Sequence, residues 1–395
     1  MTNEELTSLG ESLLKKSEED TGLLVTLRRT LHQFPELAMD EHLTASKIAE
    51  ALQGLPHVRI ITGFAIETSV IAVIREDIEG DAVLLRAAMD GEHIMEETGL
   101  DFASCDPNVC HSCGHDAEMT ALVGTVRLLS HYASSLTKRV VILFEPACEA
   151  RNGAKTLMEN NFLEHFGITQ AFAVNWSQEF PYGTLGIRDG VITALSDKIH
   201  IDVIGTAGHA AEPHMTVDPI MISSHILLAI QTMLSREIDP REVALVSFGK
   251  IEAGSTYNII PGVANMWGTI RTFNPDIRDI VQSRIEAIVP AIAKCYRGVA
   301  SVEYTRNYPH VSNDKELVRQ VIKKAIPFFG KDGIKWLDHP VLSGEDFSYI
   351  SSAVPTVLMM LGTGKEYPLH HPRYDIPESM LTFAAAWGAY LLLNI

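Results

Sequence analysis

The sequence contains no apolar run approaching the roughly 20 residues that span a bilayer, so no membrane helix is expected. Positive charge is scarce. Lys and Arg number 32 against 50 Asp and Glu, for a formal net charge of -18. Nucleic acids and anionic membranes are polyanions, so neither is expected as a partner. Cysteine is also scarce, with five in 395 residues, an odd number that suits reduced thiols rather than a disulfide framework. The opening residues are acidic and amphipathic instead of basic and apolar, and the cytoplasm is the expected location. There is no internal repeat, no low-complexity tract and no long Pro/Gly/Ser linker. A chain of this length exceeds what one core usually fills, so two domains are expected.

The first fifty residues read as helices, with Leu23, Leu24, Leu27 and Leu31 on one face and Leu43, Ile48 and Leu52 on another. Short apolar runs without alternation follow at 69–74 and 82–87, then at 139–144, 171–174 and 356–361. Such runs fit strands buried on both faces. Helical patterns at about 116–130, 153–161, from 315, and 378–393 alternate with them, which predicts a mostly parallel sheet covered on both sides. Between them the style changes. Lys198, His200 and Asp202 alternate with Ile199, Ile201 and Val203, opening the order strand, helix, strand, strand, helix, strand up to 308. That is the order of a ferredoxin-like unit. The fold class is therefore α/β: a larger domain over 1–190 and 309–395, with a smaller α/β domain over 191–308 inserted into it.

The densest chemistry is Cys110-His111-Ser112-Cys113-Gly114-His115-Asp116, just ahead of a helix. Thiolate and imidazole are preferred by zinc and its neighbours. A loop with two buried thiols and a capping Asp116 is an equal reading of these letters, and a Cys-x-x-Cys redox pair a weaker one. Glu145-Pro146-Ala147-Cys148-Glu149 leaves the strand at 139–144, on the sheet edge where α/β sites are built. Gly208-His209-Ala210-Ala211 lies in the inserted domain, and Leu369-His370-His371-Pro372 near the C-terminus.

Taken in order, these segments resemble the aminoacylase and carboxypeptidase metallopeptidases, peptidase family M20, subfamily D. The resemblance extends to Arg28-Arg29-Thr30-Leu31-His32, Glu96-Glu97-Thr98-Gly99, Asn258-Ile259-Ile260-Pro261, Gly268-Thr269-Ile270-Arg271-Thr272 and Gly344-Glu345-Asp346-Phe347. It implies a metallo-aminopeptidase-like catalytic domain with a lid domain that also serves dimerisation, and hydrolysis of the amide bond of N-acyl or N-aminoacyl amino acids. It implies divalent metal (Zn, Mn, Co or Ni), as one or two ions, held by Cys113, His115, Glu149 and His370, with Asp116 behind them. It assigns Asn258 and Arg271 to the substrate's carboxylate, and His209 to both substrate binding and stabilisation of the developing oxyanion. A homodimer is expected, with a small N-acyl amino acid or dipeptide as the partner.

Several family positions are changed. The family pattern Pro-Ala-Glu-Glu, whose first Glu is the general base, reads Pro146-Ala147-Cys148-Glu149. Asn175 stands where a ligating His is expected, and an amide oxygen is a weak neutral ligand. Arg-Ala-Asp-Met-Asp reads Arg86-Ala87-Ala88-Met89-Asp90, and the following Ala-Leu-Pro reads Gly91-Glu92-His93. Cys148, Glu145, Glu92 and His93 are the candidates for replacement chemistry. The alternative function is a catalytically impaired relative that binds a ligand or serves assembly.

Overall fold

The computed structural model describes residues 1–149 and 151–395. The chain forms two compact units, one of Met1–Ile192, Val311–His339 and Asp346–Ile395, the other of Thr193–His310 with Pro340–Glu345.

The first unit is built on an eight-stranded sheet. Its order is Val58–Thr62, Val70–Ile74, Arg139–Glu145, Ala82–Ala88, Ile168–Ser177, Thr356–Gly362, Leu185–Ile187 and Ile334–Trp336. The four central strands run parallel, and antiparallel pairs occur toward both edges. The fold is thus α/β with a mostly parallel main sheet. Val70–Ile74 and Ala82–Ala88 are buried at every position, so neither has a solvent side to mark with polar residues.

Helices His115–His131 and Ser379–Asn394 lie against each other in this unit. A Cβ on Gly124 would sit 2.7 Å from Ala385 Cβ, and one on Gly388 would sit 2.5 Å from Thr125 Oγ1. Two small residues are what let these helices approach so closely. Ahead of the sheet come helices Asn3–Glu18, Thr21–Gln33 and His42–Leu52. Leu24, Leu27 and Leu31 are buried, as are Ile48 and Leu52. Leu23 and Leu43 are exposed, so the buried stripes are narrower than the sequence predicts. The helix expected over 153–161 is Gly153–Glu159, and Asn161, with a left-handed φ of 56°, precedes a further short helix, Phe162–Phe166, that the sequence reading does not anticipate.

The second unit has one four-stranded antiparallel sheet of Leu195–Ile204, Ala244–Ala253, Val263–Thr272 and Val299–Tyr308. Numbering these four in chain order, they lie 4-1-3-2, the ferredoxin-like arrangement. Helices Pro219–Glu237 and Pro275–Cys295 start from Asp218 and Asn274, whose side chains accept from the first-turn amides. Ile199, Ile201 and Val203 face these helices and share a core with Ile222, Ile226, Val281 and Ile285. Pro340–Glu345 joins this unit although the segment follows the return of the chain to the larger one. Backbone carbonyls tie it there: Arg271 Nε donates to Leu342 O at 3.1 Å, and Ala194 N to Ser343 O at 3.1 Å. Carbonyl contacts leave no side-chain pattern, so the sequence reading runs the larger domain unbroken from 309. Among the described residues, no helix is long and apolar enough to cross a membrane.

Candidate metal centre

Two adjacent parallel strands end level with each other, Ala88 paired with Glu145. Their outgoing loops carry Asp90 and Glu92 on one side, and Cys148 and Glu149 on the other. The third contributor is the start of helix His115–His131. Its N-cap is Gly114, with φ of 81° and no side-chain cap. A Cβ there would meet Trp176 Cδ1 at 2.8 Å, while Trp176 Nε1 donates to Gly114 O at 3.1 Å. Both the left-handed backbone and the close indole require glycine between Cys113 and His115.

Around this corner the donor atoms converge. Cys113 Sγ donates to Glu149 Oε1 at 3.0 Å and lies 3.1 Å from His370 Nε2. Single ligand atoms of Glu92, Cys113, Glu149 and His370 all fall within 4.8 Å of one another, as do those of His115, Cys148 and Glu149. His115 Nδ1 pairs with Asp90 O at 2.8 Å, which leaves Nε2 turned to Glu149 Oε1 at 3.7 Å. Asp90 Oδ2 accepts from Glu149 N at 2.9 Å and so positions two donors. A histidine held through one nitrogen, with the other facing a carboxylate, is arranged as a metal ligand requires.

The electrostatics point the same way. Burial pushes the Cys113 thiol well above its ordinary pKa, and the Glu149 and Glu92 carboxylates push it further. Burial also raises Glu149, with His115 opposing. For His115, burial works toward the neutral ring, yet Asp90, Glu118 and Glu149 outweigh it and hold its pKa well above normal. The His115 shift reports a surplus of negative charge around the ring, while those of Cys113 and Glu149 report burial first and neighbouring carboxylates second. A divalent cation would relieve all of them, so thiol, imidazole and carboxylates here fit a metal by chemistry and by spacing.

Other predicted residues are placed differently. Glu145 is fully buried, with Oε2 accepting from Arg86 Nε at 2.6 Å. It serves an ion pair instead of standing free as a replacement base. Arg86 Nη2 also donates to Asp346 Oδ1 at 2.7 Å and to Cys148 Sγ at 3.0 Å. Asn175 sits on strand Ile168–Ser177 in register with Met360. Asp116 lies in the helix's first turn and is not its cap. Its Oδ2 accepts from Arg28 Nε at 2.9 Å and pairs with His32 Nδ1 at 2.8 Å. Burial alone would raise Asp116, but Arg28 and His32 hold it well below the usual carboxylate range. Burial likewise works to lower His32, and Asp116 outweighs it, raising the ring to about 9. His32 Nε2 pairs in turn with Glu96 Oε1 at 3.1 Å. The family segments at 28–32, 96–99 and 113–116 therefore meet in one buried network behind the donors. Sequence order showed that these segments belong to a family, but gave no sign that their side chains touch.

His209, Asn258 and Arg271 belong to the second unit. His209 and Asn258 share a short ribbon, in which Gly208–His209 pairs with Ile259–Ile260 and Ala210 N donates to Asn258 O at 3.1 Å. Arg271 extends from strand Val263–Thr272, and its hydrogen bonds go to uncharged oxygens: Leu342 O, Ile270 O at 3.0 Å and the Thr269 hydroxyl. Burial lowers its pKa from the ordinary value. A part-buried guanidinium bound to neutral acceptors is suited to receive an anion.

Fold and donor set together describe an α/β protein with a metal-type cluster at the carboxyl edge of its main sheet. The family model described as Peptidase family M20/M25/M40 matches residues 84–393, and the chain belongs to that family. It is 34% identical over 368 residues to an N-acetyl-L-cysteine deacetylase of Bacillus subtilis (strain 168), covering 92% of this chain and 85% of that one. It is 33% identical over 362 residues to an N-acetyldiaminopimelate deacetylase of Halalkalibacterium halodurans, covering 91% and 96%. Among solved structures it is similar to a dinuclear metal binding peptidase of the M20 family from Bacillus subtilis, with a TM-score of 0.79, 28% identity, and coverage of 95% and 98%. The chain is accordingly a member of a hydrolase family that includes deacetylases and metal-binding peptidases.

Proposed function

We propose that this protein hydrolyses the amide bond of small N-acyl or N-aminoacyl amino acids that carry a free carboxylate, in a metal-dependent reaction. The observation that carries the reading is the convergence of Cys113, His115, Glu149 and His370 at the carboxyl edge of the sheet. Relatives described as deacetylases of N-acetylated amino acids support the substrate class. Those four residues would hold zinc, manganese, cobalt or nickel, with Asn175 a weak further donor. A divalent ion held by them would supply an activated water and polarisation of the amide carbonyl. Asp90 keeps His115 in the tautomer that exposes Nε2. Arg271 and Asn258 recognise the substrate carboxylate, and His209 steadies charge developing on the carbonyl oxygen. Cys148 stands where the family's proton-transferring carboxylate is expected, which leaves turnover slow. The same reading includes a cytoplasmic homodimer. Nothing in the comparisons supports the alternative of a non-catalytic binding or assembly protein.

The test combines metal analysis of the purified protein with hydrolysis of a panel of N-acetyl amino acids. Turnover that stops with chelator and returns with metal supports the reading. Failure of both the natural protein and its Cys148→Glu variant to cleave any member of the panel rejects it. Arg271→Met separates recognition from chemistry. Losing charged hydrogen bonds worth about 1.5–3 kcal/mol is expected to raise KM roughly 10- to 100-fold for substrates with a free carboxylate. Carboxamide analogues, measured in parallel, should change little. An equal loss on both substrate types would remove Arg271 from carboxylate recognition.

A further inference from the structure

We propose that Glu92 is a metal ligand, completing with Cys113, Glu149 and His370 a four-donor site that does not need the imidazole absent at position 175. The inference rests on the metal-dependent reading above and concerns a position where the family pattern has an apolar residue.

The loop after strand Ala82–Ala88 is fastened to the metal loop by its backbone. Glu92 N donates to Cys110 O at 2.9 Å, and Cys110 N returns to Glu92 O at 3.0 Å. This bridge sets residue 92 beside the segment that supplies Cys113. Ser112 Oγ donates to Glu92 Oε2, and Ser112 O accepts from His370 N at 3.0 Å. One serine therefore holds both the new carboxylate and the histidine loop. Glu92 Oε1 lies 3.3 Å from His370 Nδ1. The mutual limit of 4.8 Å over all four donors compares with the roughly 3.5 Å between ligand atoms that metal bonds of about 2.0–2.3 Å imply in a tetrahedral site. Small side-chain adjustments suffice to close it.

Exposure grades across the four. Cys113 is buried and the Glu92 side chain is 13% exposed, whereas Glu149 and His370 reach 29% and 52%. The protein supplies the floor of the site, and its outer side stays open to substrate. The second group, His115, Cys148 and Glu149, has three such donors and shares Glu149. Glu92 thus gives the two halves of the cluster unequal strength: one ion held tightly by four donors, the other weakly.

Glu92 could instead only orient His370 through Nδ1, and two variants separate these roles. Glu92→Leu removes ligand and acceptor together. Glu92→Gln keeps an acceptor oxygen for the imidazole but removes the anionic ligand. Metal-stripped full-length protein is titrated with cobalt(II), following thiolate-to-cobalt absorption and the ligand-field bands, with thermal unfolding of each apo-protein as a fold control. Both variants are expected to weaken the first cobalt at least tenfold and to shift the ligand-field bands, while the Cys113 thiolate band persists. Binding by Glu92→Gln within twofold of the natural protein would reduce Glu92 to a positioning residue and overturn the proposal. So would natural affinity in Glu92→Leu. If the natural protein itself binds neither cobalt nor zinc, the metal-dependent reading falls with it, whereas unchanged variants remove Glu92 alone.

Discussion

Cys148→Glu is expected to raise kcat for N-acetyl amino acid hydrolysis by about 10²- to 10⁴-fold, the range that positioned general acid–base groups contribute. A carboxylate can accept a proton from the attacking water and pass it to the leaving nitrogen. A thiol 3.0 Å from a guanidinium and within 4.8 Å of His115 and Glu149 donors is a poor shuttle, because ionisation would favour coordination over proton return. Arg86 Nη2, which now donates to Cys148 Sγ, would face the new carboxylate and keep it ionised and ready to accept. Glu145 cannot already fill this role, since its carboxylate is buried against Arg86. Adding Asn175→His tests the second departure. If Glu92 already replaces the missing ligand, the double variant should exceed Cys148→Glu only slightly. A large extra gain would instead mean that position 175 limits metal occupancy. No gain from either change would move the defect to Ala88 and Gly91, the remaining departures around the strand end. Steady-state kinetics with metal content measured on each sample decides among these.

Much of this frame was legible because its signals are local. Runs such as 82–87, 139–144 and 356–361 anticipate strands Ala82–Ala88, Arg139–Glu145 and Thr356–Gly362 nearly residue for residue, since strands buried on both faces must be apolar throughout. The short strands Val58–Thr62, Leu185–Ile187 and Ile334–Trp336 escaped notice. Three to five residues, of mixed exposure in the first and last and wholly buried in Leu185–Ile187, carry too little pattern to distinguish from loop. At the site, the family resemblance pointed to Cys113, His115, Glu149 and His370, whose donors do converge. Direction was the missing information. Glu145 and Glu149 are four apart on the same strand exit, yet one turns inward to Arg86 and the other to the donor cluster. Asp116 looked like a helix cap by position, but Gly114 begins the helix and the aspartate turns back to Arg28 and His32. Such choices depend on partners 36 to 88 positions away in the chain, which spacing alone does not reveal.

Arg86→Met is expected to lower stability by about 3–5 kcal/mol, the usual cost of removing one member of a buried charge group. The Arg86 side chain is 1% exposed, and its two carboxylate partners, Glu145 and Asp346, are both 0% exposed. Three strand-derived segments depend on it: its own strand Ala82–Ala88, the end of Arg139–Glu145, and the loop that carries Asp346. Methionine fills similar volume without charge, leaving two buried carboxylates without their cation. Asp346 keeps the Ala154 N donor at 3.1 Å, so the larger share of the penalty should fall on Glu145. Arg86→Met combined with Glu145→Gln is therefore expected to recover about 1–2 kcal/mol of the loss, as burying a neutral amide costs less than an unpaired anion. Urea denaturation of the natural protein, both single variants and the double variant closes this cycle and isolates the pair's coupling. If Arg86→Met costs under about 1 kcal/mol, the arginine is not what holds these carboxylates inside the sheet, and its contact with Cys148 would have to be explained by the chemistry of the site instead.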